Sequence, residues 1–559
     1  MIEQQLVDWL QDGLREAAPA LGIEGDLPTP ELLAPKQKGH GDFATNVALA
    51  LAKRAGRPPR DVAQAIADAL PASPLVEKVE VAGPGFLNIF TADTWLHDAL
   101  RSIADLGEAY GRAEPTGRSV QVEFVSANPT GPLHVGHARN AALGDALARL
   151  LEAAGETVER EYYFNDAGRQ MDLFGASVVA RYLQVLGREA ELPEDGYHGE
   201  YVVEVARDIV AEHGDALADL PEPEREARLL AEGTRRILAG VEQTLERFGV
   251  RFDVYFSEAE LERKGEIAAA VERLRAADYA YDADGATWFR STAFGDDKDR
   301  VIVRSNGTHT YFGADCAYIV DKFARGFDHV VYVWGADHHG DVARMKGAAS
   351  AMGYDPDALE IVLYQFVSFQ RGGEPVKMSK RAGTFISLDE LIDEVGADAA
   401  RFTLLSFSGD SAMNFDIETV KRQSMDNPVY YVQYGHARIA SILRKAESVG
   451  IPRTSIADAD LSLLRHEAEL DLLRALADVP GQVAAAAELR APQRITHLAQ
   501  DLAGRFHRFY TECTVVNADE PALTHARLWL AAGTKQVIAN LLGILGVSAP
   551  ESMERTGDG

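Results

Sequence analysis

The sequence contains little cysteine and no long apolar run. Only Cys316 and Cys513 occur among its 559 residues, too few and too far apart for a disulfide framework or a cysteine-based zinc cluster. No segment approaches the roughly 20 apolar residues that a membrane-spanning helix needs. These absences argue against a disulfide-stabilised secreted protein and a membrane protein, so we expect a cytoplasmic location.

Basic residues are also too few to balance the acidic ones. The chain has 56 Lys and Arg against 86 Asp and Glu, a formal net charge of −30. This charge disfavours indiscriminate binding to nucleic acid, because a phosphate backbone is attracted to a positive field. A local basic track on an acidic body remains compatible with selective RNA binding. The 46% of apolar residues suffices for the cores of several domains.

Local patterns predict three domains. Residues 1–112 mix helical patterns with the strand-like run VEKVEVAGPGFLNIF, which predicts a small α/β domain. Residues 113–425 contain two strand–helix–strand units, separated by a mainly helical, charged insertion at about 175–300. They predict a split Rossmann-like domain with a parallel sheet. Residues 426–559 show almost only helical periodicity and predict an all-α bundle. The fold class is therefore α/β.

The motif His134-Val135-Gly136-His137 stands where a predicted strand and loop give way to a helix. A separation of three places both imidazoles on one face of the first helical turn, beside its free N–H groups. That arrangement suits a triphosphate, and Gly136 would let a base or ribose lie against the backbone. Taken alone, the motif also fits two surface histidines. A zinc site is a third reading, although neither cysteines nor a Glu at helical spacing complete it.

A second motif, Lys377-Met378-Ser379-Lys380, lies in the glycine-rich stretch QRGGEPVKMSKRAGTF. Mobile cations on such a loop can follow the charge that builds up on departing pyrophosphate. A solvated basic turn is the ordinary explanation for this motif alone. The two motifs in this order, on opposite halves of a split nucleotide fold, predict activation of a substrate by ATP.

With these two hallmark motifs the sequence resembles class I aminoacyl-tRNA synthetases, and in particular arginyl-tRNA synthetases. The resemblance spans essentially the whole chain. It is carried by GHGDFATNVALALAK, AGPGFLNIF, VEFVSANPTGPLHVGHARN, YFNDAGRQ, VYVWGADHHG, DNPVYYVQYGHARI and LLGILGVSAPESM. Many family members lack the second lysine of the loop motif, which is present here as Lys380.

The resemblance implies a reaction and a set of substrates. L-arginine and ATP would give arginyl-adenylate and pyrophosphate, and the arginyl group would pass to the 3′-terminal ribose of tRNA(Arg), releasing AMP. It further implies that tRNA binds before the adenylate forms. ATP in turn implies Mg²⁺, with no metal site built from protein ligands. We expect a monomer with no membrane partner.

The resemblance also assigns residues. The catalytic residues would be His134, His137, Lys377 and Lys380. ATP would contact His134, Gly136, His137, Gly335, Asp337, His338, Met378 and Lys380. Arginine would contact Glu123, Asn128, Tyr311 and Asp315, a set that meets the demand of a guanidinium for carboxylates and a nearby tyrosine. The tRNA would contact Phe86, Asn88, Tyr434 and Arg438.

Structural explanations stay open for several of these residues. Asp315 could be a helix N-cap or first-turn acid. Phe86 could be a buried ring and Asn88 a turn residue, and the aromatic residues near Tyr434 could belong to the core of a helical bundle.

Other functions remain as alternatives. A synthetase for cysteine, glutamate or glutamine has a related architecture, but cysteine is disfavoured because the chain lacks a set of zinc ligands. An adenylyltransferase without tRNA would need neither the N-terminal nor the helical domain. A non-catalytic binding protein derived from a synthetase would have no need of the intact histidines and lysines.

Overall fold

A computed structural model describes residues 2–33, 35, 40–376 and 386–553 of the chain. The chain divides into two compact units. One contains residues 1–111, 438–481 and 502–537, and the other contains residues 112–437, 482–501 and 538–559. Each unit is described by itself.

The N-terminal segment of the first unit is a small α/β fold. Its elements are α1 (Ile2–Leu21), β1 (Phe43–Thr45), α2 (Val47–Ala55), α3 (Pro59–Ala69), β2 (Val76–Ala82), β3 (Phe86–Thr91) and α4 (Thr94–Leu106). The strands form an antiparallel sheet in the order β1-β3-β2. Helix α1 buries Leu6, Leu10 and Leu14, which the sequence spaces four apart, as one helical face requires.

The turn between β2 and β3 depends on two glycines. Gly83 has φ +52° and Gly85 has φ +139°, a backbone conformation that favours glycine. A Cβ on Gly85 would stand 2.8 Å from the carbonyl of Pro59 at the start of α3. The glycines in GPG therefore form the turn that the sequence predicts, and Gly85 also allows α3 to approach it closely.

The second unit is built on a parallel sheet. Its elements are β4 (Ser119–Glu123), α5 (Ala138–Ala153), β5 (Thr157–Phe164), α6 (Arg169–Val185), α7 (Glu200–His213), α8 (Glu222–Arg247), β6 (Val254–Ser257), α9 (Glu258–Arg263), α10 (Glu266–Ala276), β7 (Ala280–Ala283), β8 (Ala286–Phe289), β9 (Arg300–Val303), α11 (Tyr311–Ala324), β10 (His329–Gly335), α12 (Val342–Ala351), β11 (Leu359–Tyr364), β12 (Val367–Arg371), β13 (Glu374–Pro375), α13 (Leu388–Val395), α14 (Ala397–Leu405), β14 (Met413–Asp416) and α15 (Ile417–Val420). The five-stranded sheet has the order β11-β10-β4-β5-β6, and all its neighbouring strands run parallel.

The strand order of this sheet reverses between β4 and β10, so a crevice opens at the carboxyl ends of these two strands. The prediction of a split Rossmann-like sheet is confirmed. The range 175–300 contains the expected helices, but also β6, an edge strand of the parallel sheet, and β7 and β8 of a three-stranded antiparallel sheet. These strands are only four residues long and lie between charged helices, so their alternation of apolar and polar residues is too short to be recognised in the sequence.

The C-terminal region is helical, as predicted. Its helices are α16 (Pro428–Ser448), α17 (Glu467–Glu488), α18 (Gln493–Glu512) and α19 (Pro521–Leu545). By length and composition α19 could cross a membrane, although Thr, His, Arg and Lys interrupt its apolar residues. In the most apolar 18-residue stretch of α19, 67% of the stretch is buried inside the protein, as in a helix of a protein core.

A buried ion pair joins several elements of the second unit. Arg401 of α14 donates to Asp145 Oδ2 of α5 over 2.5 Å, and both side chains are almost completely buried. Arg401 also donates to the carbonyls of Phe248 and Leu545, which follow α8 and end α19. Burial alone would raise the pKa of Asp145, but Arg401 and Arg149 lower it. Three chain segments are thus fixed to α5, the helix that follows His137.

We expect Asp145→Asn to lower the free energy of unfolding by about 3–5 kcal/mol, because it leaves the Arg401 guanidinium buried without a counter-charge. Urea unfolding measures the change. The control is Arg207→Ala, which removes a pair with Glu200 whose side chains are 59% and 69% exposed and should cost less than about 1 kcal/mol. Equal losses in the two variants would contradict this account of the pair.

Candidate active site

A cleft of about 960 Å³ lies at the switch point of the parallel sheet. It is lined from β4, from the start of α5, from α11 and from the end of β10. The predicted site residues that line it are Glu123, His134, Gly136, His137, Tyr311, Asp315, Gly335, Asp337 and His338. The fold therefore brings together side chains that are up to 215 positions apart in the sequence (338 − 123).

The two motif histidines cap their own helical turn. The Gly136 N–H donates to His134 Nδ1 over 3.0 Å, and the His134 N–H donates to His137 Nδ1 over 3.2 Å. Their ring centroids are 4.0 Å apart. A neutral imidazole that accepts at Nδ1 carries its hydrogen on Nε2. In this tautomer the ring nitrogen that takes no part in the capping bonds is Nε2.

Gly136 has a local reason to be glycine. A Cβ at this position would lie 2.7 Å from the His134 ring, so a larger residue would displace the ring from its capping position. The sequence predicts instead that Gly136 makes room for a base or ribose. Gly136 does line the cleft, but the contact nearest to a Cβ on it is the neighbouring histidine.

The backbone after β4 is strained and closely held. Val125 and Ser126 have φ of 67° and 43°, which is uncommon for residues other than glycine and unfavourable for a β-branched one. Asn140 of α5 accepts from the Val125 N–H over 2.6 Å and donates to the Val333 carbonyl of β10 over 3.0 Å. Asn140 therefore joins the two strand ends that border the cleft, a role that its place inside a helical pattern does not reveal.

Glu123, at the end of β4, is buried beside a buried lysine. Lys322 Nζ lies 2.9 Å from Glu123 Oε2 and 3.0 Å from Glu161 Oε1. The Ser126 hydroxyl donates to Glu123 Oε1 over 3.0 Å. Burial raises the pKa of Glu123, and the Lys322 ammonium opposes that change. Lys322 was not identified from the sequence, because a lysine in VDKFARG looks like an ordinary solvated helix charge.

Asp315 belongs to the body of α11. The N-cap of this helix is Thr310, whose hydroxyl accepts from the Gly313 N–H over 3.1 Å, so Asp315 is not the cap. Burial raises the pKa of Asp315 to about 7, and the charges of Glu258 and Glu123 add to the effect. Tyr311, one helical turn earlier, is 70% exposed at the edge of the cleft.

Asn128 lies in an adjoining cavity of about 390 Å³. Ser126 and His137 line both this cavity and the cleft, so the two spaces are neighbours. The Asn128 amide donates to Gln170 Oε1 over 2.8 Å, and its Oδ1 accepts from the Asn165 N–H over 3.4 Å. Its side chain is therefore oriented by residues of the segment that follows β5 and begins α6.

The segment after β10 is a 3-10 turn, Ala336–Asp341. His338 Nδ1 lies 2.8 Å from Asp341 Oδ2, and Arg344 pairs with the same carboxylate. The side chain of Asp337 is 60% exposed. A Cβ on Gly335 would lie 2.5 Å from Asp337 Oδ1, so glycine allows this turn to fold back on the strand.

The loop residues Lys377, Met378 and Lys380 lie outside the described residues. The chain that follows them is hydrogen-bonded to the first motif. The Val135 N–H donates to the Ile386 carbonyl over 3.1 Å, and the Leu388 N–H donates to the Leu133 carbonyl over 2.9 Å. The backbone immediately after the loop is thus attached to the backbone that carries His134.

The residues predicted to contact tRNA lie outside this cleft. Phe86 is half-buried at the start of β3, and Asn88 is 5% exposed. In α16 the Tyr434 ring stacks on Tyr430 at 6.2 Å, and the Arg438 guanidinium lies 4.5 Å from the Tyr510 ring.

Among the described residues, one group could bring three metal-binding atoms together: Glu212, His213 and Glu232. Arg235 pairs with both glutamates, each over 2.9 Å, and Arg236 pairs with Glu212 over 2.5 Å. These guanidinium groups already neutralise the carboxylates. The cluster lies in α7 and α8, apart from the residues that line the cleft.

Comparisons with known proteins give consistent results along the whole chain. Residues 5–91 match the family "Arginyl tRNA synthetase N terminal domain", residues 100–406 match "tRNA synthetases class I (R), catalytic domain", and residues 432–553 match "DALR anticodon binding domain". The Arginine--tRNA ligase of Heliobacterium modesticaldum is 50% identical over 534 residues, 95% of each chain. That of Frankia alni is 50% identical over 554 residues, 97% of this chain and 99% of the relative.

Solved structures agree with these relatives. Thermus thermophilus arginyl-tRNA synthetase superposes with a TM-score of 0.75 and 25% identity, covering 99% of this chain and 100% of that one. A structure described as a putative arginyl-tRNA synthetase from Campylobacter jejuni gives the same TM-score with 35% identity, over 83% and 100% of the two chains. The family matches and the near full-length relatives point to the same family, and the cleft is lined by both motif histidines, as that family requires. The chain accordingly belongs to the arginyl-tRNA synthetases, the class I enzymes that use ATP to ligate arginine to tRNA.

Proposed function

We propose that the cleft between β4 and β10 binds L-arginine and ATP and is where arginyl-adenylate forms. One observation carries this proposal. The same cleft is lined by His134 and His137, which cap the first helical turn, and by two carboxylates, the buried Glu123 and the partly buried Asp315. The first pair suits a polyphosphate and the second a cationic side chain.

The carboxylates support arginine as the amino acid. Burial raises the pKa of both Glu123 and Asp315 and so disfavours their ionised forms, an effect that Lys322 opposes at Glu123 and Arg344 opposes at Asp315. A guanidinium would stabilise the ionised forms, because it offers five N–H donors in a rigid plane. We assign Tyr311 to the edge of this pocket and Asn128 to the substrate α-amino group.

The reaction needs no covalent enzyme intermediate. A carboxylate oxygen of arginine attacks the α-phosphorus of ATP, the bond to the bridging oxygen breaks, and pyrophosphate leaves with the bonding electrons. A hydroxyl of the 3′-terminal ribose then attacks the arginyl carbonyl, and AMP leaves. The protein contributes positioning and charge stabilisation. We assign Nε2–H of His134 and His137, and the N-terminus of α5, to the phosphate oxygens.

The remaining ATP contacts are assigned from the sequence and from the lining of the cleft. Gly335, Asp337 and His338 would hold the nucleoside part of ATP. Lys377 and Lys380 would stabilise the departing pyrophosphate, and Met378 would lie against the nucleotide. Mg²⁺ bound to ATP would neutralise phosphate charge without a metal site built from protein ligands.

The domains would divide the recognition of tRNA. We assign residues 1–112 to the elbow of the tRNA, with Phe86 and Asn88 at the D-loop, and residues 426–559 to the anticodon, through Tyr434 and Arg438. Residues 113–425 would hold the acceptor end. The family matches to residues 5–91 and 432–553 support this division. We further infer a cytoplasmic monomer that works without a membrane partner.

Replacing His134 tests the phosphate assignment. We expect His134→Ala to lower kcat for tRNA arginylation by about 100-fold or more, because it removes one preorganised donor to the charge that develops in the transition state. His134→Asn should lose less, because its amide can both cap Gly136 and donate. Steady-state arginylation measures both variants, and a wild-type kcat in His134→Ala would contradict the assignment.

The pKa of Asp315 predicts a pH dependence. Its folded pKa is raised to about 7, so the carboxylate is ionised above that pH and protonated below it. A guanidinium stays charged throughout and pairs only with the ionised form. The KM for arginine should therefore be flat above about pH 7 and rise by up to about tenfold per pH unit below it.

The variant Asp315→Asn should show a high KM for arginine at every pH and no inflection near 7. The KM for ATP, measured in the same series, is the internal control and should be unaffected. An arginine KM in Asp315→Asn that keeps the wild-type value and pH profile would remove Asp315 from the pocket.

Lys322→Met tests the charge beneath Glu123. Without the ammonium, only the Ser126 hydroxyl still opposes the effect of burial, so the pKa of Glu123 should rise further and the carboxylate should be protonated up to a higher pH. We expect a higher arginine KM at pH 7 that recovers as the pH is raised, and an unchanged KM for ATP. An arginine KM that rises equally at all pH values would indicate a purely structural role.

A further inference from the structure

Tyr332 lies in the floor of the cleft and has no assigned role. It belongs to β10, is 1% exposed and lines the cleft. In the parallel sheet it pairs in register with Glu123 of β4. Side chains at paired positions of neighbouring strands point to the same face, so Tyr332 and Glu123 stand side by side beneath the ligand space.

The hydroxyl of Tyr332 is buried and forms no hydrogen bond with the part of the chain that the structure describes. Two other tyrosines that line the cleft are different. The Tyr163 hydroxyl donates to Glu258 Oε2 over 2.5 Å, and the Tyr318 hydroxyl donates to Glu161. A buried hydroxyl without a partner is unfavourable, and phenylalanine would fill the same space without that cost.

The surroundings of Tyr332 fix its protonation state. Burial, together with the negative charges of Glu123 and Asp315, raises its pKa well above the ordinary value for tyrosine. The hydroxyl therefore stays neutral and keeps both a donor hydrogen and acceptor lone pairs. Since a guanidinium has only donors, the acceptor lone pairs are what this hydroxyl can offer to it.

The carboxylate of Glu123 is already engaged by neighbours within the protein. Glu123 Oε2 already lies 2.9 Å from Lys322 Nζ, and Glu123 Oε1 accepts from Ser126. Both oxygens of Glu123 thus already lie beside a cation or a hydroxyl donor, and a further acceptor next to Glu123 would add to those that the two carboxylates offer to the five donors of a guanidinium. Tyr332 is placed in register with Glu123 to provide it.

We propose that Tyr332 is a specificity-determining residue whose hydroxyl accepts a hydrogen bond from the guanidinium of bound L-arginine. The proposal rests on the proposed function of the same cleft as the arginine pocket. It explains why a hydroxyl is kept in a position where the ligand-free protein leaves it without a partner.

The test is Tyr332→Phe, which removes only the hydroxyl. We expect the arginine KM in tRNA arginylation to rise about tenfold or more, as for the loss of a hydrogen bond to a charged group. The KM for ATP should not change. The melting temperature of the protein without arginine should equal or exceed that of the wild type, because an unfavourable buried hydroxyl has been removed.

Tyr182→Phe is the matched control. Tyr182 is completely buried in α6 and its hydroxyl donates to the Gly214 carbonyl over 2.7 Å, so this variant loses a satisfied hydrogen bond away from the cleft. It should have a lower melting temperature and a wild-type arginine KM. An unchanged arginine KM in Tyr332→Phe would overturn the proposal, and so would a melting temperature lowered as in the control.

Two further variants, Glu123→Gln and Asp315→Asn, distinguish a failure of the role of Tyr332 from a failure of the assignment of the cleft as the arginine pocket. If at least one of them raises the arginine KM while Tyr332→Phe does not, only the role of Tyr332 fails. If all three leave the arginine KM at the wild-type value, the cleft is not the arginine pocket and both proposals fail.

Discussion

The buried charge pair between Glu123 and Lys322 is the constraint on which the rest of the site depends. Both side chains are nearly inaccessible to water, and their charged atoms lie 2.9 Å apart. Glu161 holds the same ammonium from β5, so three elements of the second unit, β4, β5 and α11, are fixed around one cation. A carboxylate can remain at the bottom of the cleft only because Lys322 offsets the cost of its burial. The charge that would recognise arginine is thus part of the protein core.

The part of the cleft assigned to the nucleotide is held in place by a different set of contacts. The strained turn after β4 is held by Asn140, and the first motif is held by hydrogen bonds between its own histidines and backbone. The segment that leaves the loop motif is attached to the same backbone through Ile386. These contacts use side chains that would otherwise be free to rotate, so the site is ordered before substrates arrive. Preorganised donors are effective because they need no rearrangement during the reaction.

Much of this architecture could be predicted from the sequence, and the failures have physical causes. The runs TVEREYYF and HVVYVWG are β5 and β10 with the same ends. HVVYVWG is an almost continuous run of β-branched and aromatic residues, which marks a buried parallel strand, whereas TVEREYYF has such residues at its two ends and charged residues between them. The cleft also gathers the motif residues that the family resemblance names. The sequence does not identify three residues of the site, Lys322, Asn140 and Tyr332. The role of each depends on contacts with residues that are distant in the sequence. Roles on residues 377–385 remain predictions.

The central claim is that Glu123 and Asp315 recognise the substrate side chain. A crystal structure of the protein with L-arginine bound tests it most directly. The account predicts guanidinium nitrogens within about 3 Å of a carboxylate oxygen of each residue, and one within about 3 Å of the Tyr332 hydroxyl. A guanidinium that pointed away from both carboxylates, or an arginine bound outside the cleft, would contradict the account.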